Sequence, residues 1–411
     1  MSAVLSHPLR ALRSRDFRIY FIGQLISMAG TWMQQVAMAW LAYRLSNSAF
    51  VLGMLGFASQ IPILLFSLLG GVWSDRVDRR KLMLWTQALS LVQAAALAVL
   101  TWQGWITPAL LLGLAFLLGC INALDMPARQ SLLVHLVEDK ALLPNAIALN
   151  STMVNVSRFL GPGLAGFVIA WAGEAVCFLL NALSYLAVLL ALLAVRARPS
   201  GDASKHPLQA LKEGLAYIAG HPDIRLFLPL VAAVSFLLTP YVVMMPLYAK
   251  AEFGGDARTL GFLISSAGAG SLVAALFLST RPAVAGLSRQ VSRVVPAGGL
   301  ALALFGLNTV HALAYPILMV VGFAVVLAAA GSNTLLQHWV RDDMRGRVMS
   351  AFTLAFLGIA PLGSLAVGSL AHLVGIRLTL VLFGVVAVLA GLAHGWRLTR
   401  RQRERRAARP T

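Results

Sequence analysis

The sequence is short of charge. Of its 411 residues only 12% are Asp, Glu, Lys or Arg, about half the share of an ordinary soluble domain. Such a chain cannot clothe a water-facing surface. That excludes a soluble globular enzyme and a highly charged disordered chain. Cysteine is almost missing: Cys120 and Cys177 both lie inside apolar runs, with no metal-ligand spacing and no disulfide framework. Acidic residues are the scarcer sign, 15 against 33 basic ones. No phosphate-binding glycine loop, metal cluster or catalytic triad pattern is present, so we expect neither a cofactor nor an enzyme.

Apolar residues are abundant instead. They make up 59% of the chain, and the mean hydropathy is +0.80. A membrane helix needs about 20 mostly apolar residues. Twelve such runs can be drawn: 17–41, 50–73, 82–102, 108–128, 145–170, 175–195, 224–248, 259–280, 292–311, 315–337, 348–371 and 377–397. The first is long and polar-punctuated and has no small-residue cleavage site, so we read it as a span rather than a signal.

In a soluble protein the net charge of +18 would suggest nucleic acid. Here its distribution matters more. Basic residues crowd alternate gaps: Arg10, Arg13, Arg15 and Arg18; Arg76, Arg79, Arg80 and Lys81; Arg341, Arg345 and Arg347; and the C-terminal arginines from Arg397 to Arg409. The opposite gaps hold only Arg44, Lys250, Arg258 and Arg377. The positive-inside rule then puts both termini in the cytoplasm of a multi-pass membrane protein. The terminal arginines read as a topology anchor touching anionic lipid headgroups, not as a nucleic-acid patch.

The longest polar stretch, 196–222, separates six runs from six. The expected organisation is an N-terminal bundle (1–195), a cytoplasmic linker (196–222), a C-terminal bundle (223–397) and a basic tail (398–411). Within the linker, Leu208, Leu211, Leu215 and Ile218 fall near one face of a short amphipathic helix over 207–220. The two halves resemble each other. Leu132, Leu133, His135, Val137 and Asp139 recur as Leu335, Leu336, His338, Val340 and Asp342, and Pro162, Gly166 and Gly173 are echoed by Pro361, Gly368 and Gly375. Such repeats mark secondary transporters, with the substrate at the midplane between the halves.

The gap after the second run reads Gly70-Gly71-Val72-Trp73-Ser74-Asp75-Arg76-Val77-Asp78-Arg79-Arg80-Lys81. This loop resembles the signature of the major facilitator superfamily, Gly-x-Leu-x-Asp-Arg-x-Gly-Arg-Arg/Lys. Trp73 stands for the usual leucine and Asp78 for the second glycine. The form is similar to the branch holding macrolide-type drug exporters and the enterobactin exporter. The resemblance implies an all-α membrane protein of twelve transmembrane helices in two pseudo-symmetric six-helix bundles. It also implies a charge relay of Gly71, Asp75, Arg76, Arg79, Arg80 and Asp125 that closes the cytoplasmic side. Asp75 would face the start of span eleven, whose positive dipole end attracts a carboxylate by roughly 0.3–2 kcal/mol. Against the roughly 5.5 kcal/mol of a full two-state switch, Asp75 is a bias that needs partners. Asp125 is the one acidic residue placed within a run, and intramembrane carboxylates are functional candidates by default; a pair with Arg129 is the plainer alternative.

Span five reads Asn155-Val156-Ser157-Arg158-Phe159-Leu160-Gly161-Pro162-Gly163-Leu164-Ala165-Gly166. Arg158, Gly161, Pro162 and Gly166 resemble the span-five motif of superfamily antiporters, which tilts direction toward efflux. Proline frees a backbone carbonyl, and small residues admit a close neighbour. A buried arginine costs about 2.5 kcal/mol or far more, so Arg158 should meet an anionic substrate group or pair with Asp125. A neutral, aromatic cavity is expected from Gln34, Gln35, Gln60, Asn155, Arg158, Tyr241, Asn333 and Gln337. It suits a bulky, partly apolar molecule.

The expected function is secondary active export of bulky amphipathic small molecules, drugs or a siderophore, by proton antiport and alternating access. The partners are then a small-molecule substrate, protons and the lipid bilayer, around a monomer. Import of a nutrient by the same fold, and a non-transporting membrane sensor, are the alternatives.

Overall fold

The computed structural model describes residues 9–76, 78–137, 139–195, 216–281 and 284–407. Side chains at 67–77, 79, 131, 135, 140 and 405–407 lie outside the described residues. Twelve long helices follow one another: α1 (Arg15–Ser46), α2 (Ala49–Arg76), α3 (Arg79–Trp102), α4 (Pro108–His135), α5 (Leu143–Ala172) and α6 (Glu174–Ala194). After the linker come α7 (Pro222–Glu252), α8 (Ala257–Ser279), α9 (Leu287–Leu307), α10 (His311–Trp339), α11 (Asp342–Val374) and α12 (Ile376–Ala407). Eleven of them are long and apolar enough to cross a membrane by length and composition. Only α1 falls short, because Gln24, Ser27, Gln34 and Gln35 interrupt it. It nevertheless packs along α5 and α6 within the same bundle.

Local chemistry explains where the helices start and stop. Thr107 accepts a hydrogen bond from the Leu110 N–H, with Pro108 in the first turn of α4, a favoured start because proline has no N–H to leave unpaired. Asp256 likewise accepts from Arg258 and Thr259 at the start of α8. Asn47 ends α1 with φ of 47°, a left-handed conformation that asparagine tolerates. Gly173 (φ 83°) and Gly375 (φ 84°) each form the one-residue turn that joins α5 to α6 and α11 to α12.

That matched turn is one sign of the internal repeat. Helix packing is another. In the first half α1 packs on α6, α2 on α4, α3 on α6 and α3 on α4. Adding six to every label gives contacts of the second half: α7 on α12, α8 on α10, α9 on α12 and α9 on α10. The halves meet mainly through two crossings, α2 with α11 and α5 with α8.

A third sign is electrostatic. Arg44 at the end of α1 pairs with Glu174 at the start of α6, Nε to Oε1 at 2.8 Å. At the equivalent place in the second half, Glu252 at the end of α7 pairs with Arg377 at the start of α12 at 2.5 Å. The polarity is swapped while the geometry repeats. Arg258 pairs with Asp256 beside them. So three of the four basic residues that break the charge asymmetry carry a carboxylate partner.

One boundary differs from expectation, and one expectation lies outside the described residues. Residues 398–407, expected as a tail, continue α12 without a break. Arg401 there binds Asp223 at the start of α7 at 3.1 Å, which holds the last turns against the bundle. The amphipathic helix expected over 207–220 lies outside the described residues, apart from a helical 216–220.

Candidate functional site

The turn between α2 and α3 lies at the end of the bundle that holds the chain termini. Gly71, Asp75 and Arg76 fall on the last turns of α2, but their side chains, and that of Arg79, lie outside the described residues. Asp78 has a plain local role. Its carboxylate accepts from the N–H groups of Arg80 and Lys81 and caps α3. Arg80 reaches the end of α6. Its Nε donates to the Leu192 carbonyl at 2.7 Å and an Nη to the Leu193 carbonyl at 2.8 Å. The last carbonyls of a helix lack intrahelical partners and carry the negative dipole end. Arg80 therefore caps α6 and staples α3 to it, a structural role that the expected charge relay did not include.

Asp125 is 1% exposed. One carboxylate oxygen accepts from Thr86 Oγ1 at 2.7 Å and from Gln87 Nε2 at 2.8 Å. The other accepts from Arg129 Nε at 3.1 Å and from its Nη2. All these partners belong to α3 and α4, so the plainer of the two expectations for Asp125, a pair with Arg129, is present in the first half. Its alternative pairing with Arg158 is not.

Arg158 lies instead where α5 crosses α8. Pro162 removes the donor that the Arg158 carbonyl would bind in a regular helix, and a Cβ on Gly268 of α8 would stand 2.7 Å from that carbonyl oxygen. Ser265 donates to the neighbouring Phe159 carbonyl at 2.7 Å, so α8 adds a polar contact one residue from the carbonyl that the proline frees. Gly166 and Gly261 complete the crossing: a Cβ on either would come within 3.1 Å of the other's Cα. Gly161 faces the other way, against Trp32 of α1.

The Arg158 guanidinium sits over the Trp32 ring, 5.3 Å from its centroid. Its Nε is sealed from solvent with no hydrogen-bond partner. Among the described residues no carboxylate pairs with it, and Tyr241 of α7, the titratable side chain near it, is itself buried. A cation–π contact returns about 0.5–2 kcal/mol, less than the cost of about 2.5 kcal/mol or more for arginine within a bilayer. The cation is incompletely compensated.

The remaining cavity residues divide. Gln34 is 0% exposed. It accepts from Asn181 of α6 at 2.7 Å and donates to Gln93 of α3 at 3.0 Å. This chain of amides binds three helices of the first half, so Gln34 is interhelical glue rather than cavity wall. Gln35, one residue on, is exposed. Gln60 and Asn155 are half-buried and donate to their own helices, at the Gly56 and Ser151 carbonyls. On α10, exposed Gln337 donates to half-buried Asn333. Tyr241 is buried in a tight 3-10 turn of α7, Pro240–Met244. Trp32 and Ser265 were missed in the sequence as partners of span five. Nothing in their own neighbourhoods marks them, since both act on residues more than a hundred positions away.

A family model described as a transmembrane secretion effector, of the major facilitator superfamily, matches residues 6–411. The chain belongs to this family. It is 28% identical over 385 residues to a staphyloferrin A transporter of Staphylococcus aureus, covering 90% of this chain and 93% of that protein. It is 25% identical over 387 residues to the multidrug efflux pump Tap of Mycolicibacterium fortuitum, covering 89% and 93%. Among solved structures, a bacterial homologue of the human lysosomal transporter Spinster, inward-facing and unoccupied, superposes with TM-score 0.71 at 16% identity, covering 93% of this chain and 96% of that one. The nucleoside transporter NupG superposes with TM-score 0.70 at 13% identity, covering 92% and 98%; at such identities the likeness is one of fold. This member of the superfamily is thus a multi-pass membrane transporter of small molecules and not an enzyme.

Proposed function

We propose that the protein exports bulky amphipathic small molecules, drugs or a siderophore, by proton antiport and alternating access, from the cytoplasmic membrane with both termini inside. The observation that carries this reading is the close backbone contact between the halves at one end, among the described residues. Backbone meets backbone at Gly53 and Gly368, and at Gly166 and Gly261, all towards the end away from the termini. Towards the other end, Ser151, Thr334 and Gln337 are exposed. With the termini inside, this arrangement supports the reading of an inward-open carrier closed on its outer side. The relatives supply the substrate class: one transports staphyloferrin A and another is a multidrug efflux pump. Coupling to protons rests on the antiporter-like Gly161-Pro162 and Gly166 of α5 and on the carboxylates of Asp75 and Asp125.

Everted vesicles holding a pH gradient, read by a quenched dye, test the proposal. Siderophores, macrolides and amphipathic dyes are added one at a time. Substrate-triggered proton release that is lost in Asp75→Asn is expected. Binding without proton release for every compound would overturn antiport.

A further inference from the structure

The Arg158 side chain has five N–H donors, and among the described residues none of them bonds to protein. The site is nevertheless built around it. Trp32 covers one face of the guanidinium, and the backbone of α5 at Arg158 and Phe159 is pinned by Gly268 and Ser265 of α8. A guanidinium with one face covered still presents its edges in plane, the geometry that accepts two oxygens at once. Arg158 lies between the halves, at the level where transporters of this architecture hold substrate. Among the described residues it is a single cation with no second one beside it, so it matches a monoanion.

From this geometry we infer that Arg158 over Trp32 is a recognition site for a carboxylate on the substrate, which docks in plane with the guanidinium while the substrate's apolar body lies beside Trp32. The inference rests on the export reading above and narrows it, from amphipathic compounds in general to those bearing a carboxylate. The unpaired arginine is then a cost held in the empty carrier and removed by the ligand. Three consequences follow. An uncharged ester of the same molecule binds more weakly. Arg158→Gln abolishes that discrimination. The same variant makes the empty protein more stable, because it deletes an uncompensated charge. A structural arginine would do the opposite.

The probes are rhodamine B, which has a free carboxylate, and its ethyl ester, which keeps the cationic ring system. Binding of each to the purified full-length protein in lipid nanodiscs is read by fluorescence anisotropy. The wild type is expected to bind the acid roughly 10- to 100-fold more tightly than the ester, the span of a charge-assisted contact. Arg158→Gln is expected to bind both alike, at the affinity of the ester. Arg158→Lys is expected to keep only part of the preference, since an ammonium lacks the fork. The melting temperature of ligand-free Arg158→Gln is expected above that of the wild type. Saturable binding of acid and ester with equal affinity in the wild type would overturn carboxylate recognition and leave the export reading standing. An unchanged acid-to-ester ratio in folded Arg158→Gln would also overturn it. Binding of neither dye would overturn the amphipathic reading and this inference with it.

Discussion

Gly53 of α2 and Gly368 of α11 touch through their backbones. A Cβ on Gly53 would stand 2.7 Å from the Gly368 Cα, and one on Gly368 would stand 2.5 Å from the Gly53 Cα. Separations under 3 Å force something to move, and here both sides are main chain. The contact therefore exists only while both residues are glycine. It belongs to one of the two crossings that join the halves, so its loss acts on the balance between conformations before it acts on either bundle.

Gly368→Val should shift that balance away from closure at this end. Overpacking of a tight contact costs about 1–3 kcal/mol, enough to change a two-state ratio by roughly 5- to 150-fold. Transport in vesicles should fall by about tenfold or more, with normal membrane insertion and a normal melting temperature of the isolated halves' helices by circular dichroism. Wild-type flux in Gly368→Val would show that the crossing can part without consequence.

The ion pair of Arg44 with Glu174 makes a second prediction. Arg44 is 54% exposed but Glu174 is only 9% exposed in its side chain. An exposed pair is worth about 0–1 kcal/mol, whereas a buried carboxylate left unpaired costs about 1–3 kcal/mol or more. Arg44→Ala should thus lower stability more than the double variant Arg44→Ala with Glu174→Ala does. Thermal melts of the two in detergent check this, and strict additivity would contradict it. The pair of Arg377 and Glu252 should behave the same way but more weakly, because Arg377 is again the more exposed partner, at 41% against 22% for Glu252.

Asp125 gives a third. Removing one member of a buried pair costs about 3–5 kcal/mol, and Asp125→Asn leaves Arg129 facing only amides and a hydroxyl. The single variant should fold poorly, and Arg129→Gln added to it should restore folded yield. The rescued double variant should lack flux driven by a proton gradient. Gradient-driven flux in that variant, measured in vesicles, would remove Asp125 from the proton path.

Much of the architecture could be read before any coordinates, because apolar run length and charge asymmetry depend on the bilayer and not on distant contacts. The twelve runs, the half-chain repeat and the equivalence of Gly173 with Gly375 all reappear in the helices. The site was harder. Arg80 carries a motif but spends its guanidinium on carbonyls at Leu192 and Leu193, more than a hundred residues on. Gln34 is polar within an apolar run, a pattern shared by cavity walls and interhelical glue alike; only its contacts with Gln93 and Asn181 separate the two. For Arg158 the sequence left an anionic ligand or Asp125 as partner, and Asp125 is taken by Arg129.

The most direct test of alternating access follows both ends of the carrier at once. Spin labels at Phe50 and Leu373, both exposed at the end of the α2–α11 crossing, report one side. Labels at Ser151 and Thr334, exposed at the other end, report the opposite side. Each pair is placed in a background lacking Cys120 and Cys177, and distances are measured by pulsed electron resonance with and without transported substrate. The Phe50–Leu373 distance should lengthen as the Ser151–Thr334 distance shortens, in one population shift. Flux with both distances unchanged would contradict the mechanism.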